Sequence, residues 1–196
     1  MKTLIISLKI FLFFTVLTGV IYPLLVTGIA QLAFHTKANG SLIVKNNKII
    51  GSELIGQNFD STIYFSSRPS AISYNPLPSG GSNYGLTNAK LKHSVDSLKN
   101  RFIVFNQLES NATIPSEMVF ASASGLDPHI SQKAALLQVD RIARARNLSP
   151  DRKQMIIQSV KTITEAPQFS ILGEERVNVL MLNLELDKID TNTINK

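Results

Sequence analysis

The stretch IFLFFTVLTGVIYPLLVTGIAQLAF, residues 10–34, decides the architecture, because its 25 consecutive residues carry no charge. A helix needs about 20 predominantly apolar residues to cross a hydrocarbon core, so the segment reads as one transmembrane helix. Lys2 and Lys9 precede it, as in a signal peptide. A signal peptide, however, has an apolar run of about 7–15 residues ending in a small-x-small cleavage site. Here Gln31 stands upstream of Ala33, and Lys37 precedes Ala38. The segment is therefore expected to stay as an anchor, and a single span cannot enclose a pore by itself.

Within this helix Ser7, Thr15, Thr18, Gly19 and Tyr22 share one face at about 100° per residue. Small and hydroxyl-bearing residues let helices approach closely in lipid, so the stripe suggests a partner helix. Pro23 removes a backbone donor and predicts a kink. The flanking charges nearly balance, with Lys2 and Lys9 on one side and Lys37, Lys45 and Lys48 on the other. Long C-terminal segments translocate largely regardless of charge, so the rest of the chain is expected outside the cytoplasm.

Outward from the anchor, the chain of 196 residues has room for one further compact domain. Only 17% of residues are charged, which argues against a disordered chain. Lys and Arg number 20 against 14 Asp and Glu, a net +6 that suits an anionic membrane surface or nucleic acid. The basic residues lack interleaved aromatics, so nucleic acid is set aside and membrane lipid kept as a partner. With no cysteine, a disulfide scaffold and a thiolate site are excluded. Three histidines leave few ligands, and no metal site is assigned.

The expected organisation is a short tail and transmembrane helix over residues 1–36, then a mixed α/β (α+β) domain over 37–196 with a frayed tail after Asp187. A hairpin is expected over Leu42–Ile50, turning at Asn46–Asn47, which tolerate the left-handed conformation. Ile63–Phe65 reads as a short strand ended by Arg68 and Pro69. Residues 70–88, rich in Gly, Pro, Ser and Asn, form a long loop and a candidate binding surface. Asp127 before Pro128, and Ser149 before Pro150, predict two capped helix starts. Val177–Leu186, interrupted by Asn178 and Asn183, reads as a buried strand.

Ser124, Asp127 and His129 invite a hydrolase reading, but triad members usually come from separate segments, and Asp127 serves better as a cap. Two ligands, Asp127 and His129, do not define a cation site. The turn Ser79, Gly80, Gly81, Ser82, Asn83 offers backbone donors without the Gly-Lys-Ser/Thr ending of a phosphate loop. No catalytic residue is assigned.

Five motifs in order, GSELIGQNF (51–59), YFSSRPSA (64–71), SGGSN (79–83), SGLDPHIS (124–131) and LGEERVNVLMLNL (172–184), resemble the KdpC family of the Kdp potassium-transporting ATPase. The resemblance runs from Tyr22 and Pro23 to Leu184 and includes Gln138 and Arg141. It implies an accessory, noncatalytic subunit of a bacterial inner-membrane complex, beside a channel-like potassium-selective subunit and a P-type ATPase subunit. It also implies a catalytic chaperone that raises the ATPase subunit's affinity for ATP, with Gln138, Arg141 and the SGGSN turn as nucleotide-linked positions. No cofactor is assigned to this chain itself, ATP entering through the ATPase subunit. Contacts are expected from Thr15, Thr18, Gly19, Tyr22 and Pro23 in the membrane, and from Arg68, Pro69 and Ser79–Asn83 outside it. Ser124, Gly125, Asp127, Pro128 and His129 would organise a loop–helix junction. The rival readings are a nucleotide-binding regulatory module and an independent membrane-anchored binding domain.

Overall fold

The computed structural model describes residues 1–191. Packing divides the chain into two units, Met1–Ile50 and Gly51–Lys196. The first is dominated by a helix that runs from Lys2 to Ala33, beginning eight residues before the long uncharged run. It consists of α1 (Lys2–Val16), a π-helical turn (Leu17–Ile21) and α2 (Tyr22–Ala33). The widened turn lies where the sequence places a disturbance: Tyr22 N–H bonds back to Leu17 O, and Pro23 has no N–H to offer. No residue of either helical part is buried. A one-turn helix α3 (His35–Ala38) follows, and then the expected hairpin, β1 (Leu42–Lys45) and β2 (Lys48–Ser52). Asn46 and Asn47 carry φ of 52° and 59°, the left-handed pair that a two-residue hairpin turn demands.

The second unit is mixed α+β and mostly helical. Residues 70–88 run without helix or strand, as the composition anticipates. Residues 89–126, for which the sequence pattern yields no element, open with the long helix α4 (Ala89–Asn106). Asn88 caps it by accepting from Lys90 N–H, and only Phe102 and Asn106 on it are buried. So small a buried face gives a weak periodic signal.

Three expectations are corrected. Ile63–Phe65 is not a strand: Tyr64 N–H turns back to Ser61 O, and the N–H and carbonyl of Phe65 are taken by the Asn183 side chain rather than by a neighbouring strand. Asp127 does not cap a helix: its carboxylate accepts from His129 N–H two residues on, and His129–Ile130 form β3. The helix begins later, as α5 (Gln132–Leu136), where Ser131 Oγ accepts from Ala134 N–H, and the run then breaks into a separate α6 (Val139–Ala145). By contrast Ser149 does cap α7 (Pro150–Ile163), with Pro150 in its first turn.

The third correction concerns residues 177–186. Only Val177–Asn178 is strand (β4), paired antiparallel with β3 so that His129 faces Asn178 and Ile130 faces Val177. From Val179 the chain is helix α8 (Val179–Thr191). Asn178 Oδ1 accepts from Met181 N–H, and Val179, Leu182, Leu186 and Ile189 are buried at helical spacing. The helix runs past Asp187 to Thr191, and the remainder of the tail expected to fray, residues 192–196, lies outside the described residues. The core joins α8 to Phe65, Phe102, Ile130, Ile142, Ile156 and Val160.

A strand would put Leu182, Leu184 and Leu186 on one face, whereas the helix buries Leu182 and Leu186 but leaves Leu184 half-exposed. Leu182→Ala and Leu186→Ala should each cost about 2–5 kcal/mol in denaturant unfolding, as for other buried leucines. Leu184→Ala should cost less than either.

Candidate functional site

All five motifs meet in one place. Asp127 of SGLDPHIS is the hub: Arg68 Nη1 of YFSSRPSA donates to its Oδ2 at 2.6 Å. The carboxylate's other oxygen takes His129 N–H at 3.0 Å and lies 3.3 Å from His129 Nδ1. From GSELIGQNF, Gly56 N–H donates to Leu126 O at 2.6 Å, and a Cβ there would sit 2.7 Å from Asp127 O. Only glycine permits that approach. From SGGSN, Gly80 N–H and Ser79 Oγ both donate to Ser124 O, at 3.1 and 3.0 Å. Gly125 makes the turn with φ +70°. Ser124 Oγ accepts from Leu126 N–H within its own turn, while Pro128 O accepts from Val179 N–H. The expected loop–helix junction is thus a junction of loops with the short β3–β4 ladder.

Burial raises the affinity of Asp127 for a proton, but the His129 side-chain and backbone donors and the Arg68 guanidinium together outweigh it, lowering its pKa to about 2. The carboxylate stays ionised at neutral pH. Arg68 Nε is buried without a partner, and Tyr74 OH donates to Arg68 O. Arg68 also stands at the rim of three depressions, including one of about 310 Å³ beside Phe59, Tyr74, Phe102 and Phe105. The Ser124 hydroxyl closes its own turn by accepting from Leu126 N–H and lies 3.5 Å from Ser122 Oγ. Among the described residues, no group of three or more His, Asp or Glu is arranged to hold a metal ion.

Gln138 and Arg141 lie elsewhere, in the interior, and their polar groups are engaged. Gln138 Oε1 accepts from Ser66 N–H at 2.7 Å, and its Nε2 donates to Ser66 O and Ala134 O. Arg141 donates to the carbonyls of Ser61, Thr62 and Tyr64, to Asn106 Oδ1 at 2.9 Å and to Gln138 Oε1. Its guanidinium also lies 4.5 Å from the centre of the Phe105 ring. Desolvation lowers its pKa to about 10, so it remains a cation at neutral pH. As folded, neither side chain is presented to a nucleotide.

Pro69 follows Arg68 at the rim of the 310 Å³ depression, whereas Ser82 and Asn83 are exposed on the long loop. In the span, Thr15 and Thr18 donate to Phe11 O and Phe14 O of their own helix, and a Cβ at Gly19 would meet nothing. Tyr22 and Pro23 begin α2 with their side chains uncovered by the chain. Sequence reasoning does not reach the roles of Asn106 and Asn183. Asn183 Oδ1 accepts from Phe65 N–H at 2.8 Å and its Nδ2 donates to Phe65 O at 3.0 Å. For Asn183 the available signal was its place, with Asn178, in a mostly apolar run, because a buried amide requires partners.

A family model described as KdpC, the K+-transporting ATPase c chain, matches residues 4–188. A potassium-transporting ATPase KdpC subunit of Dechloromonas aromatica is 48% identical over 196 residues, covering 96% of this chain and 99% of its own. That of Methylococcus capsulatus is 48% identical over 190 residues, covering 93% and 96%. That of Caldanaerobacter subterraneus is 43% identical over 180 residues, covering 92% of each chain.

Because the folded pKa of Asp127 lies below the ordinary 3.8, its stabilisation is complete above about pH 4 and is lost as pH falls through about 2. Asp127→Asn should therefore lower stability at pH 7 by about 1–3 kcal/mol. The gap between variant and parent should close as melts are repeated from pH 4 towards pH 2.

Proposed function

The chain belongs to the KdpC family, the c chain of K+-transporting ATPases, and from that premise we propose that it is an accessory, assembly-stabilising subunit of an ATP-driven potassium import complex. Its partners are the channel-like potassium-selective subunit and the P-type ATPase subunit, in a bacterial inner membrane. The observation that carries this reading is the Lys2–Ala33 helix, long and apolar enough to span and with no residue buried against the rest of its own chain. One span encloses no ion path, so its part in transport is to pack against helices that do. Gly19 is the point of closest approach. The threonine hydroxyls beside it are satisfied by their own helix, so packing there rests on shape rather than on hydrogen bonds.

The Gly51–Lys196 unit lies outside the cytoplasm and docks on the channel-like subunit through the 70–88 loop. Leu77, Tyr84 and Leu86 are exposed on that loop, on both sides of the SGGSN turn. The turn's base is tied to Ser124, so a loop of flexible composition is given a fixed apolar surface. Gln138 and Arg141 act inside the domain. A rise in the ATPase subunit's affinity for ATP then travels as a coupling free energy through packed membrane helices, with no bond from this chain to nucleotide.

Gly19→Leu should loosen the complex, read as reduced recovery of the channel-like subunit when this chain is captured from detergent extracts; undiminished recovery would remove the packing assignment. Lys92, exposed on α4, provides the sidedness test in a chain without cysteine. Lys92→Cys should react with a membrane-impermeant thiol reagent on intact spheroplasts. Reaction only after lysis would put the domain in the cytoplasm and restore direct contact with ATP.

A further inference from the structure

Residues 42–50 of the β1–β2 hairpin belong to the same packing unit as the spanning helix, and only residues 34–41 separate the helix from Leu42. Even fully extended, those residues reach less than about 30 Å, and they are not extended. Residues His35–Ala38 are helical, Ser41 N–H donates to Thr36 O, and Gly40 N–H donates to Lys37 O. The side-chain amides of Gln31 and Asn39 bond each other reciprocally at 3.2 and 3.3 Å, and Asn39 Nδ2 also donates to His35 O. The last turns of the span and the approach to the hairpin are thereby fastened together, which holds the hairpin at the depth where the span leaves the hydrocarbon.

The two-residue turn at Asn46–Asn47 sets Val44 opposite Ile49 and Ile43 opposite Ile50. Exposure follows that register. Ile43 and Ile50 are half-buried, whereas Leu42, Val44 and Ile49 are 48%, 60% and 65% exposed on the other face. Lys45 and Lys48 flank the turn, and Lys37 lies just before the hairpin, all exposed. Three uncovered branched aliphatic side chains on so short a ribbon are unusual in water. Beside a membrane the same pattern is stable: aliphatic groups enter the boundary between headgroups and acyl chains, and ammonium groups meet anionic phosphates.

We propose that the hairpin over Leu42–Ile50 is a lipid-surface foot: Leu42, Val44 and Ile49 insert into the headgroup–acyl boundary while Lys37, Lys45 and Lys48 pair with anionic lipid. The occupant of this face is the bilayer, not a partner protein. The foot fixes the angle at which the span meets the surface. It rests only on the helix being a span and holds whichever side of the membrane the hairpin lies on, so it stands or falls separately from the docking reading above.

The full-length chain, free of native cysteine, is labelled with an environment-sensitive fluorophore at Val44→Cys or, as a second site, Ile49→Cys. It is then reconstituted without partners in vesicles containing phosphatidylglycerol and lipid spin-labelled near the headgroup. Lys92→Cys serves as the aqueous reference and Ile21→Cys as the mid-span reference. Quenching at 44 and 49 by the shallow spin label, absent at 92 and weaker at 21, is the expected result. Lys45→Glu with Lys48→Glu should reduce that quenching in anionic vesicles and leave mid-span quenching unchanged. Positions 44 and 49 behaving like 92 would overturn the proposal. So would shielding of these positions that appears only when the channel-like and ATPase subunits are present, since the face would then belong to a protein.

Discussion

The second unit depends on how a segment with no strand beside it keeps its backbone hydrogen-bonded in the interior. Residues 61–66 run inward from the surface, with Ser61, Thr62 and Ile63 exposed and Phe65 fully buried. In a sheet the neighbouring strand would supply each donor and acceptor. Here two amide side chains do so: Asn183 from α8 brackets Phe65, and Gln138, between α5 and α6, brackets Ser66. A carboxamide presents an acceptor and donors close together, so it can imitate one step of a ladder. Arg141 completes the set by collecting the carbonyls of Ser61, Thr62 and Tyr64, and Asn106 of α4 accepts from the Arg141 Nε–H.

From that clamp the rest of the junction follows. Fixing residues 61–66 fixes Arg68, which then reaches Asp127. Asp127 in turn organises the turn that receives Gly56 and the β3–β4 ladder. The same residues tie α4, α8 and the α5–α6 break to residues 61–66 through buried polar side chains. Such a network is stable only when its members are satisfied, and removal of one amide would leave the backbone groups it serves unpaired in the core. Gln138, whose amide serves Ser66 and Ala134, is one of these clamping side chains.

The anchor unit follows another constraint. In hydrocarbon a backbone must satisfy itself, and the Lys2–Ala33 helix does so apart from the disturbance that Pro23 imposes, absorbed by the π-helical turn before it. Threonine hydroxyls bond their own carbonyls, and the Gln31–Asn39 pair ties the helix to the turn beyond it. The surfaces to which the proposed function assigns roles are a helix face, an apolar loop and the hairpin.

The sequence by itself determined the features that depend on near neighbours along the chain or on gross composition. The 25-residue uncharged run determined the span, Asn46–Asn47 the hairpin turn, Ser149–Pro150 the start of α7, and the five ordered motifs the family. Only the tertiary structure decided that residues 179–191 are helix, that Ile63–Phe65 is not a strand, and that Asp127 is a hub rather than a cap. In each case the deciding partner is distant in sequence: Asn183 lies 118 residues from Phe65, Gln138 72 from Ser66, and Asp127 59 from Arg68. Local propensity cannot register a bond whose other half arrives from another part of the chain, and a mostly apolar run such as residues 177–186 leaves strand and helix unresolved until packing selects one.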